Sequence, residues 1–394
     1  MNEVLKTISQ RSSIRAYTAK KLTDAEIKAL ITAGLQAPTA RNMQEVHISV
    51  IDGDNPILKE IDTQCKLTML KAAPPLTLLK IKNVEEKQMN KTPKINRLFL
   101  VTVIWILLSG IFLGFIPFVR SMDATQLMLL SQLLYLMPVI GFMIINKVDP
   151  RKWMPFKPLK LSVIAMVILY AVLMIPVTSW LNLLSMLFVR NAFESSQSEL
   201  TQNALWVNMI VMAVIPPICE EFTFRGLYYN GYRQRGVWCA ILGSALAFGL
   251  MHMNFNQFCY AFVPGIALGI LLEATGSIFA TMTAHFVVNG WSTALMAVSK
   301  LLYGTSAGSS STSSGALTTQ DMIGVINVYS VIAAICIFAA IGVLIWIAKH
   351  CGRYEHLKWC FKRREKRPGE PKTMFTPAFA VATVIVVIYM ILRG

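Results

Sequence analysis

From residue 98 onward the chain alternates long apolar runs with short polar interruptions. A membrane-spanning helix needs about 20 predominantly apolar residues. Runs at about 98–119, 126–145, 161–188, 204–230, 238–254, 258–273, 277–298, 322–348 and 375–392 are candidates. The sixth is short and reads as a tilted span or as part of a hairpin. Pro216 and Pro217 predict a kink inside the fourth. Gly265 and Gly269 form a GxxxG in the sixth, which permits close helix contact. Before residue 84 the pattern differs. Thr23-Asp24-Ala25-Glu26 is a capping box opening a helix through about Ala37. Val46–Ile51 and Leu76–Ile81 read as short strands. The expected fold is an all-α polytopic membrane protein with eight or nine transmembrane helices over 98–394. A small N-terminal α/β segment over 1–83 precedes it, joined by a lysine-rich linker at 84–97.

Composition agrees with this pattern. Of 394 residues, 55% are hydrophobic and 15% charged, too apolar for an ordinary soluble domain. The formal charge of +16 invites a nucleic-acid reading, but the basic residues cluster between apolar runs, as in the positive-inside pattern. No nucleic-acid partner is expected. Lys147, Arg151, Lys152, Lys157 and Lys160 follow the second run, and Arg233 and Arg235 the fourth. A dense basic stretch, 349–372, follows the eighth and would lie against anionic headgroups. The alternate loops offer only Arg120, Arg190 and Lys300. Odd-numbered spans therefore run outward, and the polar segments 191–203 and 304–315 face outside. Met1–Leu22 is polar and basic, not a signal peptide, so the N-terminus is expected in the cytoplasm of a multi-pass cell-membrane protein. The seven cysteines include four inside apolar runs and no CxxC pair, and read as small buried hydrophobes.

The candidate chemistry lies inside the apolar runs. A charge at the centre of a membrane helix costs about 2.5–3.5 kcal/mol on insertion scales and usually faces a bundle interior or a wet cavity. The fourth run holds Glu220, Glu221 and Arg225. On a helix Glu221 and Arg225 are i,i+4 neighbours, while Glu220 points roughly 100° away. Arg225 is thus expected to neutralise Glu221 and leave Glu220 free. Phe248 and His252 end the fifth run, and His285 and Asn289 share a face of the seventh. These costly polar groups on three spans call for one shared, hydrated place. Glu220 can take a proton from a water that His252 helps to hold. His285 and Asn289 can donate to the oxyanion of a tetrahedral intermediate. Alternatively, Glu220, His252 and His285 can ligate Zn²⁺ and leave a position for water. Both routes hydrolyse an amide, and the sequence does not choose between them.

Glu220-Glu221-xxx-Arg225, Phe248-xxx-His252 and His285-xxx-Asn289 fall in the order EExxxR, FxxxH, HxxxN across about residues 160–300. The set resembles the CPBP family of intramembrane proteases, which includes CAAX prenyl endopeptidases and bacteriocin-processing or immunity proteins. That resemblance implies that Glu220 and His252 activate water and that His285 and Asn289 bind the oxyanion. Family members have been described both as metalloproteases and as glutamate-dependent enzymes. A second resemblance rests on Arg11-Ser12-Ser13-Ile14-Arg15-Ala16-Tyr17, Ala33-Gly34 and Ala37-Pro38-Thr39-Ala40-Arg41-Asn42-Met43-Gln44. Over about the first 80 residues the chain resembles the nitroreductase family of FMN enzymes. It implies that Arg11, Ser12, Ser13 and Arg15 match the positions that hold the flavin phosphate. The rest of that domain is replaced by a membrane helix, so a complete FMN site is not expected in this chain alone. The reading is a membrane endopeptidase acting on a membrane-anchored peptide or protein. Its alternatives are a catalytically silent bacteriocin-immunity or scaffold protein, an FMN-binding membrane flavoprotein, and a transporter with a carboxylate proton relay.

Overall fold

The structure is a computed structural model that describes residues 91–189, 200, 202–303, 319–362 and 374–393, all within the unit Met89–Gly394. The α/β segment expected over 1–83, with Arg11, Ser12, Ser13 and Arg15, lies outside the described residues. So do most of the loops 191–203 and 304–315 and much of the basic stretch 349–372.

Among the described residues all regular structure is helical. The principal elements are α1 (Lys91–Leu113), α2 (Ala124–Ile145), α3 (Leu161–Met186) and α4, a continuous helical run from Leu205 to Arg235. They continue with α5 (Val237–Met251), α6 (Phe255–Thr275), α7 (Ile278–Tyr303), α8 (Thr319–His350), the short α9 (Tyr354–Cys360) and α10 (Pro377–Arg393). Each apolar run forms a helix, but the expected eight or nine spans are not supported. Among the described residues, six helices are long and apolar enough to cross a membrane: α1, α2, α3, α4, α6 and α8. The physical reasons differ among the other three. α5 has 15 residues, and at about 1.5 Å per residue it falls short of a hydrocarbon core about 30 Å thick. α10, with 17 residues, is also short. α7 has 26 residues but is interrupted by Thr281, Thr283, His285, Asn289, Ser292 and Thr293. With six such helices the chain is an integral membrane protein.

Local chemistry fixes the helix ends. Asp123 opens α2 with a reciprocal capping box to Gln126. Asn254 caps α6 by accepting from the Gln257 N–H at 2.9 Å. After α6 the chain turns at Gly276, whose φ of +68° suits a residue without Cβ.

Two buried clusters organise the bundle. One joins α1, α2, α4, α5 and α10 through Phe99, Tyr135, Phe224, Tyr228, Ile241 and Phe379. The other joins α3, α6, α7 and α8 through Val167, Tyr170, Leu271, Ala284, Leu344 and Ile347. α6 seats closely on α5 through the GxxxG. A Cβ on Gly265 would lie 3.0 Å from Ala245 Cβ, and one on Gly269 would lie 3.2 Å from Ile241. Large side chains such as Phe112, Ile145, Leu161 and Phe338 point outward, as a lipid-facing surface requires. Side chains from α4, α5 and α7 line one cavity.

Candidate active site

The site begins with two residues that cannot donate. α4 is not a regular helix: π-helical stretches at Met209–Val214 and Phe222–Tyr228 flank the α-helical Ile215–Glu221. Such bulges often mark functional sites. The carbonyl of Met212 would accept from residue 216 in an α-helix and from residue 217 in a π-helix. Both are proline and lack the N–H. The freed oxygen instead accepts from Asn289 Nδ2 on α7, at 3.2 Å. The proline pair thus creates an acceptor that ties α7 to α4. An amide nitrogen carries two hydrogens, so Asn289 keeps one for another acceptor.

One turn later the two carboxylates have different surroundings. Glu221 and Arg225 are fully buried, with Nη1 2.9 Å from Oε1. Arg225 Nη2 donates to the Gly265 carbonyl at 3.1 Å, and its guanidinium lies over the Phe248 ring at 4.6 Å. Glu220 is 18% exposed at its side chain and lines a cavity of about 580 Å³. One carboxylate is therefore matched by a buried cation, and its neighbour faces space that water can enter.

The histidines are held by their Nδ1 atoms. His252 caps the end of α5 with Nδ1 2.9 Å from the Phe248 carbonyl. A carbonyl only accepts, so Nδ1 carries the proton and Nε2 presents a lone pair. His285 Nδ1 lies 2.9 Å from Glu221 Oε1, and its Nε2 is 3.7 Å from Glu220 Oε2. With Glu221 ionised, Nδ1–H donates to it. Nε2 can then donate to an oxyanion only when the ring carries a second proton. Both rings meet the Phe248 ring edge-on, at 4.9 and 5.8 Å.

Glu220, Phe248, His252, His285 and Asn289 all line the same cavity. Glu221 and Arg225 stand behind it. Glu220, His252 and His285, the alternative zinc ligands, border this one cavity. Among the described residues, the set that gathers three candidate ligand atoms within 4.8 Å of one another is Glu273, His356 and Cys360, elsewhere in the fold. The sequence motifs also miss Gln132 on α2, which lines the cavity with a buried Oε1 that has no hydrogen-bond partner. Its signal was an amide in the middle of an apolar run.

Residues 202–291 match the family model described as Type II CAAX prenyl endopeptidase Rce1-like. That range holds all seven motif residues, from Glu220 to Asn289. Residues 8–116 match the model of the nitroreductase family, so this similarity runs past residue 80 and through α1. No curated protein and no solved structure matches the chain significantly.

Proposed function

We propose that this protein is a CAAX-protease-like intramembrane endopeptidase in which Glu220 activates water. One observation carries the reading. Glu220 and His252, whose Nδ1 is held by the Phe248 carbonyl, border one cavity, while Glu221 is neutralised outside it by Arg225. A water between them gives a proton to Glu220 and a hydrogen bond to His252 Nε2. The hydroxide adds to the scissile carbonyl carbon, and the carbonyl electron pair moves onto oxygen. Asn289 Nδ2–H and, when its ring carries a second proton, His285 Nε2–H stabilise that oxyanion. The C–N bond then breaks as Glu220 returns its proton to the leaving nitrogen. A site between membrane helices favours peptides associated with the bilayer, in a cell membrane with the N-terminus cytoplasmic.

Cleavage of a membrane-peptide library in proteoliposomes, by wild type and by Glu220→Gln, tests the reading. The substitution keeps the shape and removes the base, so a loss of about 10²–10⁴ in rate is expected. Activity within about tenfold of wild type would remove Glu220 from the base role. The nitroreductase match over 8–116 favours one second reading, a membrane flavoprotein holding FMN at Arg11, Ser12, Ser13 and Arg15. Flavin absorbance in the purified protein would support it.

A further inference from the structure

Glu273, His356 and Cys360 form a second chemical cluster, outside the cavity and far apart in sequence. Glu273 sits near the end of α6, while His356 and Cys360 are i,i+4 on α9 and share its face. Glu273 and Cys360 are 4% exposed. Cys360 Sγ lies 3.8 Å from Glu273 Oε2 and 3.7 Å from His356 Nε2, and His356 Nε2 contacts that same carboxylate oxygen. We propose that these three side chains form a Zn²⁺ site, open to water at its fourth position, that clamps α9 to the end of α6.

The donor types suit zinc, which takes thiolate, imidazole and carboxylate together. The spacing suits it as well. Bonds of about 2.0–2.3 Å around a tetrahedral zinc set ligand atoms about 3.3–3.7 Å apart. The two sulfur distances are already near that range. Only the Glu273–His356 contact has to lengthen on the same geometry.

The surroundings orient the carboxylate as an outer shell does. Oε1 of Glu273 is occupied by the Tyr229 hydroxyl and by Arg233 Nε at 3.0 Å, which leaves Oε2 turned toward His356 and Cys360. Arg353 Nε donates to the Glu273 backbone carbonyl at 2.8 Å, and its Nη2 lies 3.7 Å from Oε2. The two arginines oppose an added cation and only partly offset burial and the Glu273 carboxylate, which push the Cys360 thiol up, so the ion itself has to draw out the thiolate. Thiolate and carboxylate together balance the two charges of the ion. Binding releases the thiol proton of Cys360, and water completes the tetrahedron. Arg233 closes α4, so the clamp also reaches the helix that carries Glu220.

Cobalt reports this site without reference to proteolysis, because a cysteine ligand gives a thiolate-to-cobalt charge-transfer band that nitrogen and oxygen ligands do not. The full-length, fully reduced protein is purified in detergent, its metal content is measured, and it is then titrated with Co²⁺. One equivalent of cobalt with a thiolate band, displaced by Zn²⁺, is expected. The band should vanish in Cys360→Ser and persist in Glu220→Gln. His356→Gln, which keeps a hydrogen-bonding group beside Glu273, should bind cobalt more weakly than the roughly 10–100-fold loss typical of an outer-shell change. Absence of a thiolate band in the wild type, or its survival in Cys360→Ser, overturns the assignment.

Discussion

Replacing either member of the Glu221–Arg225 pair should be far more damaging than replacing both. Both side chains are fully buried. Arg225→Met leaves a buried carboxylate with the neutral donors His285 Nδ1 and Thr281 beside it, and Glu221→Gln leaves a buried guanidinium with the Gly265 carbonyl and the Phe248 face. Stranding a buried charge costs about 3–5 kcal/mol, or roughly two to four decades in the folding equilibrium at about 1.4 kcal/mol per decade. The double variant strands no charge. It loses the donor to Gly265, worth about 1 kcal/mol, and the contact with Phe248, worth about 1 kcal/mol when partly desolvated. The expected double loss is thus about 2 kcal/mol, against about 6–10 for two independent stranded charges, a coupling of roughly 4 kcal/mol or more. Reversible SDS unfolding in mixed micelles, followed by tryptophan fluorescence, measures all four corners of the cycle. A coupling below about 0.5 kcal/mol would mean additive, independent sites and would refute the neutralised-pair reasoning.

Three further outcomes are expected. Pro216→Ala restores an N–H that competes for the Met212 carbonyl held by Asn289. Cleavage should fall about tenfold, near one oxyanion contact imperfectly placed, and adding Asn289→Ala should make little difference beyond Asn289→Ala alone; full additivity in cleavage assays would contradict the shared contact. Gly265→Ala puts a Cβ 3.0 Å from Ala245 Cβ and 3.3 Å from Arg225 Nη2. It should lose about 1–3 kcal/mol in the same unfolding assay, whereas Gly290→Ala, with its nearest neighbour at 3.4 Å, should be tolerated; equal stability of the two would refute the close α5–α6 seat. A chain beginning at Lys91 keeps Thr92 on the Gly231 carbonyl at 3.4 Å and Lys91 over Trp153 at 4.4 Å. It should insert and cleave like full length, and the full-length protein should purify without FMN; stoichiometric flavin, or normal insertion with lost cleavage, would show that the N-terminal segment takes part.

What was legible in the sequence follows from what each feature costs in a membrane. Charged and imidazole side chains in apolar runs are expensive, so Glu220, Glu221, Arg225, His252 and His285 stand out as letters alone. The apolar runs are equally visible, but their capacity to cross depends on where a helix stops. Gly236, with φ of +115°, lies between α4 and α5, and α5 ends at Met251, short of the run read to 254. The pairing of Glu273 with His356 was not legible, because 83 residues separate them and neither lies in a local motif. Nor was the role of Asn289 in α4. Pro216 and Pro217 announce a kink, yet the consequence that matters is an orphaned carbonyl, and only the packing of α7 reveals which donor fills it. The same pair of prolines therefore does two things. It lets α4 leave the regular helical path just before the carboxylates, and it fixes the helix bearing His285 against them. Tertiary contact converts a break in one helix into the register of the whole site.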